Sequence, residues 1–351
     1  MTTLKLIIIT ALSIIVFNTN AQEQKATSPV QFSFIYPVGS NGQNALNKAN
    51  NCSFNMLWGM NGGVKGFELG GIGNFNKGDV NGCQIAGITN ITKGSITGAA
   101  ISGIANIHSN DTKGLSLSGI ANIHAGKTKG LMLSGIVNIS NKNMSGAQIS
   151  LVNNTYNDMD GFQLGLINYA KKLKGFQLGL INVTDSIDGI ALGLISIYKD
   201  GYYAVEVSNS EVLHAHTSYK IGQAHFYNIY TVGYGRYQNN DVFSYGFGLG
   251  SLISLHKRHS LAIEGITNQM AYDDKWGKLN MLNKLNLTYQ FHVTDRISLV
   301  GGPSLNFYIS NHLVDGKYGT LNMPKTIWKH RGSSNMKAMW IGYNAGINIR
   351  L

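Results

Sequence analysis

Apolar and polar residues alternate over short stretches in the middle of this chain, and the pattern recurs. The phrase GFQLGLIN occurs at 161–168 and again at 175–182. Related phrases begin at nine glycines: Gly66, Gly82, Gly98, Gly114, Gly130, Gly146, Gly161, Gly175 and Gly189. The first five steps are 16 residues, the next is 15, and the last two are 14. A fixed period of this length predicts a repeat architecture over 66–201.

Within each repeat, two apolar positions flank a position that is mostly polar or small. This period of two predicts a short strand with one buried face. The apolar position three residues after each glycine is always Leu or Ile, and we interpret this column as core. Its members are Leu69, Ile85, Ile101, Leu117, Leu133, Ile149, Leu164, Leu178 and Leu192. The intervening position, occupied by Gln163 and its equivalents, is then expected to face outward.

Every single repeat resembles the next, which favours a parallel β-solenoid over an antiparallel meander, because a meander repeats only every second strand. An asparagine recurs at 74, 90, 106, 122, 138, 153, 168 and 182, with Ser196 in the ninth repeat. We interpret this column as a ladder of side-chain amides at a corner. Ice or calcium binding is less favoured, since threonines form no regular row and carboxylates are few.

After Gly201 the strands lengthen, which predicts a second, antiparallel domain over 202–351. The eight candidate strands are 202–209, 213–222, 225–237, 243–255, 259–271, 281–293, 297–310 and 339–351. In the last of these, Ile341, Tyr343, Ile347, Ile349 and Leu351 alternate with polar or small residues. Such a strand is typical of the end of an outer-membrane β-barrel. Eight strands make a barrel too narrow for an open pore. The alternative is a soluble β-sandwich or half-barrel packed on the solenoid.

The N-terminal region predicts export. Residues 1–21 read as a signal peptide, with an apolar run from Leu6 to Phe17 and a small residue, Ala21, before the expected cleavage site. Residues 22–65 contain two extended stretches, 30–36 and 52–58, which either cap the solenoid or add strands to the barrel. No other apolar run approaches the length of a membrane helix, so a membrane crossing requires a barrel.

Composition and charge limit the partners. The net charge is +11, and it becomes +10 once Lys5 is removed with the signal peptide. This excess, and the basic final loop (Lys317, Lys325, Lys329, Arg331 and Lys337 against Asp315), suits outer-membrane lipid or surface glycan. Other envelope proteins are further candidate partners, and nucleic acid is not expected. Cys52 and Cys83 either pair in an oxidising compartment or serve as small residues, the latter favoured for Cys83 as a core position.

Several motifs occur together in one order: QFSFIYPVGSNG, FNMLWGMNGGVKGFELGG, the GFQLGLIN copies, GLISIYKDGYYAVEVS and GPSLNFYIS. Over roughly 30–310 they resemble the surface repeat-containing proteins of Gram-negative bacteria. The resemblance implies export and a cell-envelope location. It implies no activity and no functional residues. Because a barrel that ends in the periplasm also puts Gly201 there, the array is expected to hang inward or plug the barrel, despite the family's name.

The chain contains no GxSxG, HExxH, CxxC or P-loop motif, and we predict no catalytic, cofactor-binding or metal-binding residue and no cofactor. His214 and His216 share a predicted strand face with Lys220, while His292 and Glu264 are expected to point into the barrel. Two kinds of function follow. One is a non-enzymatic envelope protein for adhesion or glycan contact; the other is a small-barrel hydrolase or acyltransferase acting on lipid. A soluble periplasmic binding scaffold is a further alternative.

Overall fold

The computed structural model describes residues 26–237, 240–272, 277–314, 317–319, 321 and 323–351. The predicted signal peptide, 1–21, lies outside this part of the chain, as does Asp315. The described residues form a parallel β-solenoid, called the coil below, followed by a closed antiparallel barrel. The fold class predicted from the sequence is therefore confirmed.

The coil contains eighteen strands and one 3₁₀ helix, Gly42–Asn47. The strands are β1 Ala26–Ile35, β2 Val38–Gly39, β3 Lys48–Asn61, β4 Gly63–Gly70, β5 Gly73–Asn76, β6 Val80–Ala86, β7 Thr89–Thr92, β8 Ile96–Ser102, β9 Ala105–His108, β10 Thr112–Ser118, β11 Ala121–His124, β12 Thr128–Ser134, β13 Val137–Ser140, β14 Met144–Ile149, β15 Val152–Leu164, β16 Ile167–Leu178, β17 Ile181–Leu192 and β18 Ile195–Tyr198.

Each complete turn of the coil, here called a rung, pairs in parallel and in register with the next. Leu117 lies opposite Ile101 on one side and Leu133 on the other, as the single-repeat periodicity predicts. The N-terminal strands continue this stack, because β1 pairs in parallel with β3, and β3 with β4 and β5. Of the two roles considered for residues 22–65, the described part of that segment extends the coil.

The interior of the coil is largely polar, which reverses the expectation for the residues that follow each repeat glycine. One interior column, two residues before the repeat glycines, is apolar in most rungs: Val64, Val80, Ile96, Met144, Met159 and Leu173. Gln163 and Asn122 are completely buried, whereas Leu133 is only partly buried. The interpretation of the Leu/Ile column as core is therefore wrong, and so is the outward assignment of the glutamines. Alternation shows that the two faces of a strand differ, but it does not say which face points inward.

A ladder of asparagine side chains runs through this interior, and its members hydrogen-bond to one another from rung to rung. Each ladder asparagine from Asn55 to Asn168 donates a side-chain hydrogen bond of 2.9–3.1 Å to the asparagine of the next rung, and Asn182 accepts the last of these bonds. Asn122 also donates to the main-chain oxygen of Leu133 at 2.9 Å. The ladder predicted from the sequence is confirmed, although it lies in the core. Buried amides paired in this way avoid the cost of unsatisfied polar groups.

The repeat glycines are fixed by backbone geometry. From Gly82 to Gly175 their φ angles lie between 128° and 141°, a region that side chains disfavour. A Cβ at Gly114 would also lie 1.9 Å from the carbonyl oxygen of Gly98. Close stacking of the rungs therefore requires glycine here.

The two cysteines are free and lie two rungs apart on the outer face. Cys52 pairs with Phe67, and Phe67 pairs with Cys83. Two rung spacings amount to ~9.6 Å, beyond the Cα separation that a disulfide can bridge. Cys83 is half-buried beside Phe67 on the outer face, so its interpretation as a core residue is wrong.

Eight strands form the barrel: β19 Tyr202–Ser210, β20 Ala215–Gln223, β21 Phe226–Tyr237, β22 Asn240–His256, β23 His259–Tyr272, β24 Asn280–His292, β25 Ile297–Ser310 and β29 Met336–Arg350. The three short strands β26 Leu313–Val314, β27 Lys317–Tyr318 and β28 Thr326–Arg331 lie between β25 and β29. The sheet closes because β29 pairs with both β25 and β19. The eight strands predicted from the sequence correspond to these.

The barrel wall is apolar outside, and the lumen is filled. On β29, Ile341 and Ile347 are 62% and 46% exposed, whereas Trp340 and Asn344 are buried. Trp340, Tyr308, Met270 and Leu282 pack into one cluster toward the end with the long connections. The opposite end, called the short-turn end, carries the connections 224–225, 257–258 and 293–296 and receives the coil. The predicted absence of an open pore agrees with this filled lumen.

Candidate functional site

A buried ion network lies in the lumen toward the short-turn end. Lys220 donates hydrogen bonds to Glu206 at 2.6 Å and to Glu264 at 2.5 Å, and the Tyr227 hydroxyl donates to Glu264 at 2.6 Å. Alternation along β19, β20 and β23 directs these side chains inward. The sequence pattern singles out Lys220 and Glu264 as lumen residues but not Glu206, although the alternation of Val205 and Val207 with Glu206 and Ser208 could have indicated it.

Ser208 and His216 meet beside this network. The Ser208 hydroxyl is 2.7 Å from Nε2 of His216, and it lies 3.3 Å from the Glu206 carboxylate. A nucleophile activated by histidine needs a third group to orient the imidazole through its other nitrogen. Within the described residues no carboxylate hydrogen-bonds to Nδ1 of His216, and the Glu206 carboxylate contacts the serine instead. Ser208 and His216 are only 4% and 7% exposed, so both side chains lie within the packed lumen.

The two other histidines singled out from the sequence, His214 and His292, have hydrogen-bond partners different from those of His216. His214 lies in the connection before β20, where its Nδ1 accepts a hydrogen bond from the main-chain N–H of Arg236. It therefore does not share the face of His216. His292 is held between Ser260 and Ser298, at 2.8 and 2.7 Å from their hydroxyls. Among the described residues no group of three or more His, Cys, Asp or Glu side chains is placed to hold a metal ion.

A groove of about 700 Å³ runs along one edge of the coil. Its walls come from the residues one and three positions before the repeat glycines, and its floor comes from the residue between them. The charged wall residues form pairs within a rung: Asp111 with Lys113, Lys127 with Lys129, Asp158 with Asp160, and Lys172 with Lys174. Met144, Met159 and Leu173 lie at this intermediate position, and their side chains are buried in the core of the coil. Small-molecule and chain-like ligands occupy clefts of this size.

Among the described residues, the lysines of the groove form no ion pair with a carboxylate. In the part of the chain that the structure describes, ion pairs form in the barrel, between Lys220 and its two glutamates and between Arg236 and Asp241. Neighbouring rungs are ~4.8 Å apart. A ligand lying along the groove would therefore meet a new pair of wall residues at each rung.

Comparison of the sequence with protein-family models and with curated proteins finds no match. Among solved structures, the crystal structure of Neisserial surface protein A matches with 10% sequence identity and a TM-score of 0.27. The alignment covers 43% of this chain and 94% of that protein. We draw no conclusion from so low a score. Within the described residues no helix has the length and apolar character needed to cross a bilayer.

Proposed function

We propose that this protein is a non-enzymatic scaffold of the bacterial envelope, anchored by its barrel in the outer membrane. The closed, eight-stranded barrel with an apolar outer wall is the observation that carries the proposal. Outer-membrane barrels combine a closed sheet, an apolar exterior and short periplasmic turns. The expected export signal and the resemblance to surface repeat-containing proteins agree with it.

The coil lies at the short-turn end, which favours the periplasmic side. β23 ends and β24 begins at the opposite end of the barrel, and so do β25 and β29; the chain between the members of each pair is longer than the short turns, as expected of extracellular loops. A coil on the periplasmic side favours contact with a glycan of the envelope over adhesion to another cell. The groove with its lysine and aspartate pairs is the surface that we propose for this contact.

The anchor is tested by the behaviour of the purified protein. We expect full-length protein to require detergent and to migrate differently on a gel before and after heating. Ile347→Arg should reduce the folded fraction, because Arg at a lipid-facing midplane costs about 2–4 kcal/mol. Ile327→Arg is the comparison, since Ile327 is also exposed but lies on β28, which pairs with the first residues of β29, away from the middle of that strand, where a charge costs less. Solubility without detergent, or equal effects of both changes, would leave a soluble scaffold as the better reading.

Glycan contact is tested by replacing two lysines of the groove with the residues that occupy the same positions in another rung. Asn143 and Ser145 occupy the wall positions that Lys172 and Lys174 occupy two rungs later. Lys172→Asn with Lys174→Ser should weaken binding to purified peptidoglycan. Lys257→Asn with Arg258→Ser removes two positive charges from a barrel turn and should leave binding unchanged. Equal loss in both variants would indicate nonspecific attraction to charge.

The alternative, a lipid hydrolase or acyltransferase, rests on the 2.7 Å approach of Ser208 to His216. Ser208→Ala decides between the two classes. If the pair only packs the lumen, the variant keeps its membrane assembly and no lipid turnover is lost, since none is present in the unmodified protein. Release of fatty acid from phospholipid vesicles by the unmodified protein, abolished in Ser208→Ala, would favour the enzyme.

A further inference from the structure

The surface of the coil is divided into a charged edge and an apolar remainder. Every lysine and aspartate from 61 to 189 falls within the five residues that precede a repeat glycine; these segments form the charged edge. Glu68 is the one other ionisable carboxylate in this range, and it is buried in the core. Between residues 61 and 189, exposed charge is therefore confined to the charged edge.

An unbroken line of large apolar side chains, called the ridge below, marks the edge opposite the charges. It consists of Ile72, Ile88, Ile104, Ile120, Ile136, Leu151, Leu166, Leu180 and Leu194, each 40–52% exposed. The columns on either side of the ridge are also apolar, with Leu178 and Ile195 as exposed members. An apolar surface continuous over nine rungs is far larger than the patches that monomeric soluble proteins leave in water.

The interior of the coil fits the same conclusion. A repeat protein folded in water buries most of its apolar columns, whereas here the amide ladder is buried beside a single apolar column, and the Leu/Ile column after each repeat glycine and the ridge face outward. Membrane barrels show this inverted arrangement, because lipid replaces water as the surrounding solvent. The coil and the barrel share it.

The ridge also ends at the wall of the barrel. Asn228 and Ile221 are paired on the outward side of β20 and β21, and both are buried. Asn228 donates hydrogen bonds to the main-chain oxygens of Gly193 and Leu194, at 3.0 and 3.1 Å. Leu194 is the last residue of the ridge. The apolar edge of the coil is therefore continuous with the apolar wall, at the level of the short-turn end.

The charges exclude one orientation of the coil in a membrane. Nine rungs extend ~40 Å at the usual strand spacing, which exceeds the hydrocarbon core of a bilayer, ~30 Å. A coil that crossed along its axis would place Lys127, Lys129, Asp158 and Asp160, near its middle, in hydrocarbon. An orientation parallel to the membrane plane keeps the ridge in lipid and every charge in water.

We propose that the ridge is seated among the phospholipid acyl chains of the leaflet that surrounds the short-turn end of the barrel. The coil then lies along the membrane plane, and its groove faces the aqueous side. This inference rests on the proposed outer-membrane anchor. Under this proposal the coil contacts lipid through its ridge alone, while the barrel crosses the membrane.

The test uses the full chain in phospholipid vesicles. In a background of Cys52→Ser and Cys83→Ala, single cysteines are placed at the ridge (Ile120→Cys), on the charged edge of the same rung (Lys127→Cys) and on the barrel wall (Phe247→Cys). Each is labelled with an environment-sensitive fluorophore. Vesicles with and without phospholipid that carries a nitroxide on its acyl chain then report contact with the hydrocarbon.

We expect the label at 120 to lose fluorescence to the same extent as the label at 247, and the label at 127 to lose little. Labels at Ile88→Cys and Leu166→Cys should lose as much fluorescence as the label at Ile120→Cys, since the whole ridge would lie at one depth in the membrane. Loss at 247 without loss at 120 would overturn the inference and leave the anchor intact. Absence of loss at 247 would overturn the anchor as well. A label at 120 that is shielded from both nitroxide lipid and aqueous iodide would show a protein partner, such as a second copy, on the ridge.

Discussion

The side-chain amide of Asn228 donates a hydrogen bond of 3.1 Å to the main-chain oxygen of Leu194 and so joins the barrel wall to the last rung of the coil. A second bond of 3.0 Å, to Gly193, makes the contact bidentate. Tyr203 adds a further link, because its hydroxyl donates to the main-chain oxygen of Tyr198 at 2.5 Å. The two parts of the chain therefore meet through directional bonds as well as through a covalent connection.

Asn228→Asp should detach the last rung from the barrel. The carboxylate would face two main-chain oxygens without a donor, and a buried charge without a partner is strongly destabilising. Trypsin cleavage after the exposed Lys199 should then become faster. Asn228→Ala is the comparison, since it removes the bonds without adding repulsion and should have a smaller effect. Equal cleavage rates for all three proteins would show that the contact does not hold the coil.

Asn122→Leu should destabilise the coil strongly. It leaves the Asn138 oxygen and the Leu133 main-chain oxygen without their donor, at ~1–3 kcal/mol for each buried group. Leu115→Ala on the outer face of the preceding strand is the matched control, because Ala99 and Ala147 occupy the same column naturally. Thermal unfolding in detergent, followed by circular dichroism, measures both. A larger loss for Leu115→Ala would contradict the polar core.

Two stacked histidines should make the coil sensitive to acid. His108 and His124 lie with ring centroids 4.4 Å apart in the core. Burial lowers the pKa of His124 to about 3, and burial together with His124 lowers the pKa of His108 well below its usual value. The unfolded chain therefore binds more protons below pH 6.5, and stability is lost as the pH falls from 6.5 toward 3, by about 1.4 kcal/mol per histidine and pH unit.

His108→Thr with His124→Thr should remove this dependence, since Thr92 occupies the same column one rung earlier. His256→Thr, at an exposed barrel turn, should leave it unchanged. The measurement is the unfolding temperature between pH 4 and pH 7. A slope that survives in the double variant would assign the acid sensitivity to other groups.

Glu68 should make the stability of the coil depend on pH in the opposite direction. Burial raises its pKa to about 7, against hydrogen bonds from Asn76, Asn61 and Asn55 that lower it. The folded chain then holds a proton that the unfolded chain has released between pH 4.5 and 7, so stability falls as the pH rises through this window, by about 3 kcal/mol in total. Glu68→Gln, which copies Gln84 of the next rung, should be more stable than the parent at pH 8 and equal to it at pH 4. Equal stability at pH 8 would show that Glu68 is ionised in the folded state without cost.

A contact in the barrel wall can be tested by a double-mutant cycle. The Glu211 carboxylate accepts hydrogen bonds from Nε1 of Trp340 and the main-chain N–H of Tyr343, both at 2.9 Å. A Cβ at Gly342 would lie 2.2 Å from it. Gly342→Ala should therefore reduce the heat-modifiable folded fraction in the parent, and should do so less in a Glu211→Ser background. Additive effects would mean that the carboxylate can move aside.

The repeat phase, the parallel stacking and the eight barrel strands all follow from the sequence, because each rests on spacing alone. Spacing alone does not show which face of each coil strand points into the core. Alternation of Leu164 with Gln163 is the same pattern whether water, lipid or protein lies outside. The assignment of the leucines to the core assumed that water surrounds the coil, and the buried amide ladder reverses it.

Two signals in the sequence point toward the correct facing. The asparagine column is invariant over eight repeats, whereas the column of Phe67, Cys83 and Ala99 varies widely in size. A ladder needs identical members, while an outer face tolerates variation. The restriction of all aspartates and lysines to one segment of each repeat is the second signal. The contact between Ser208 and His216 had no comparable signal, since it depends on the register of β19 against β20.

The repeated asparagine ladder of the coil bears on how such a protein changes in evolution. Each rung presents the same asparagine and the same glycine to the rung on either side, so both ends of any rung are interchangeable. Duplication or deletion of one repeat within the gene would lengthen or shorten the coil by a single step, without requiring a new interface or disturbing the junction with the barrel. The coil is thus a segment of adjustable length, and its reach from the barrel is set by copy number.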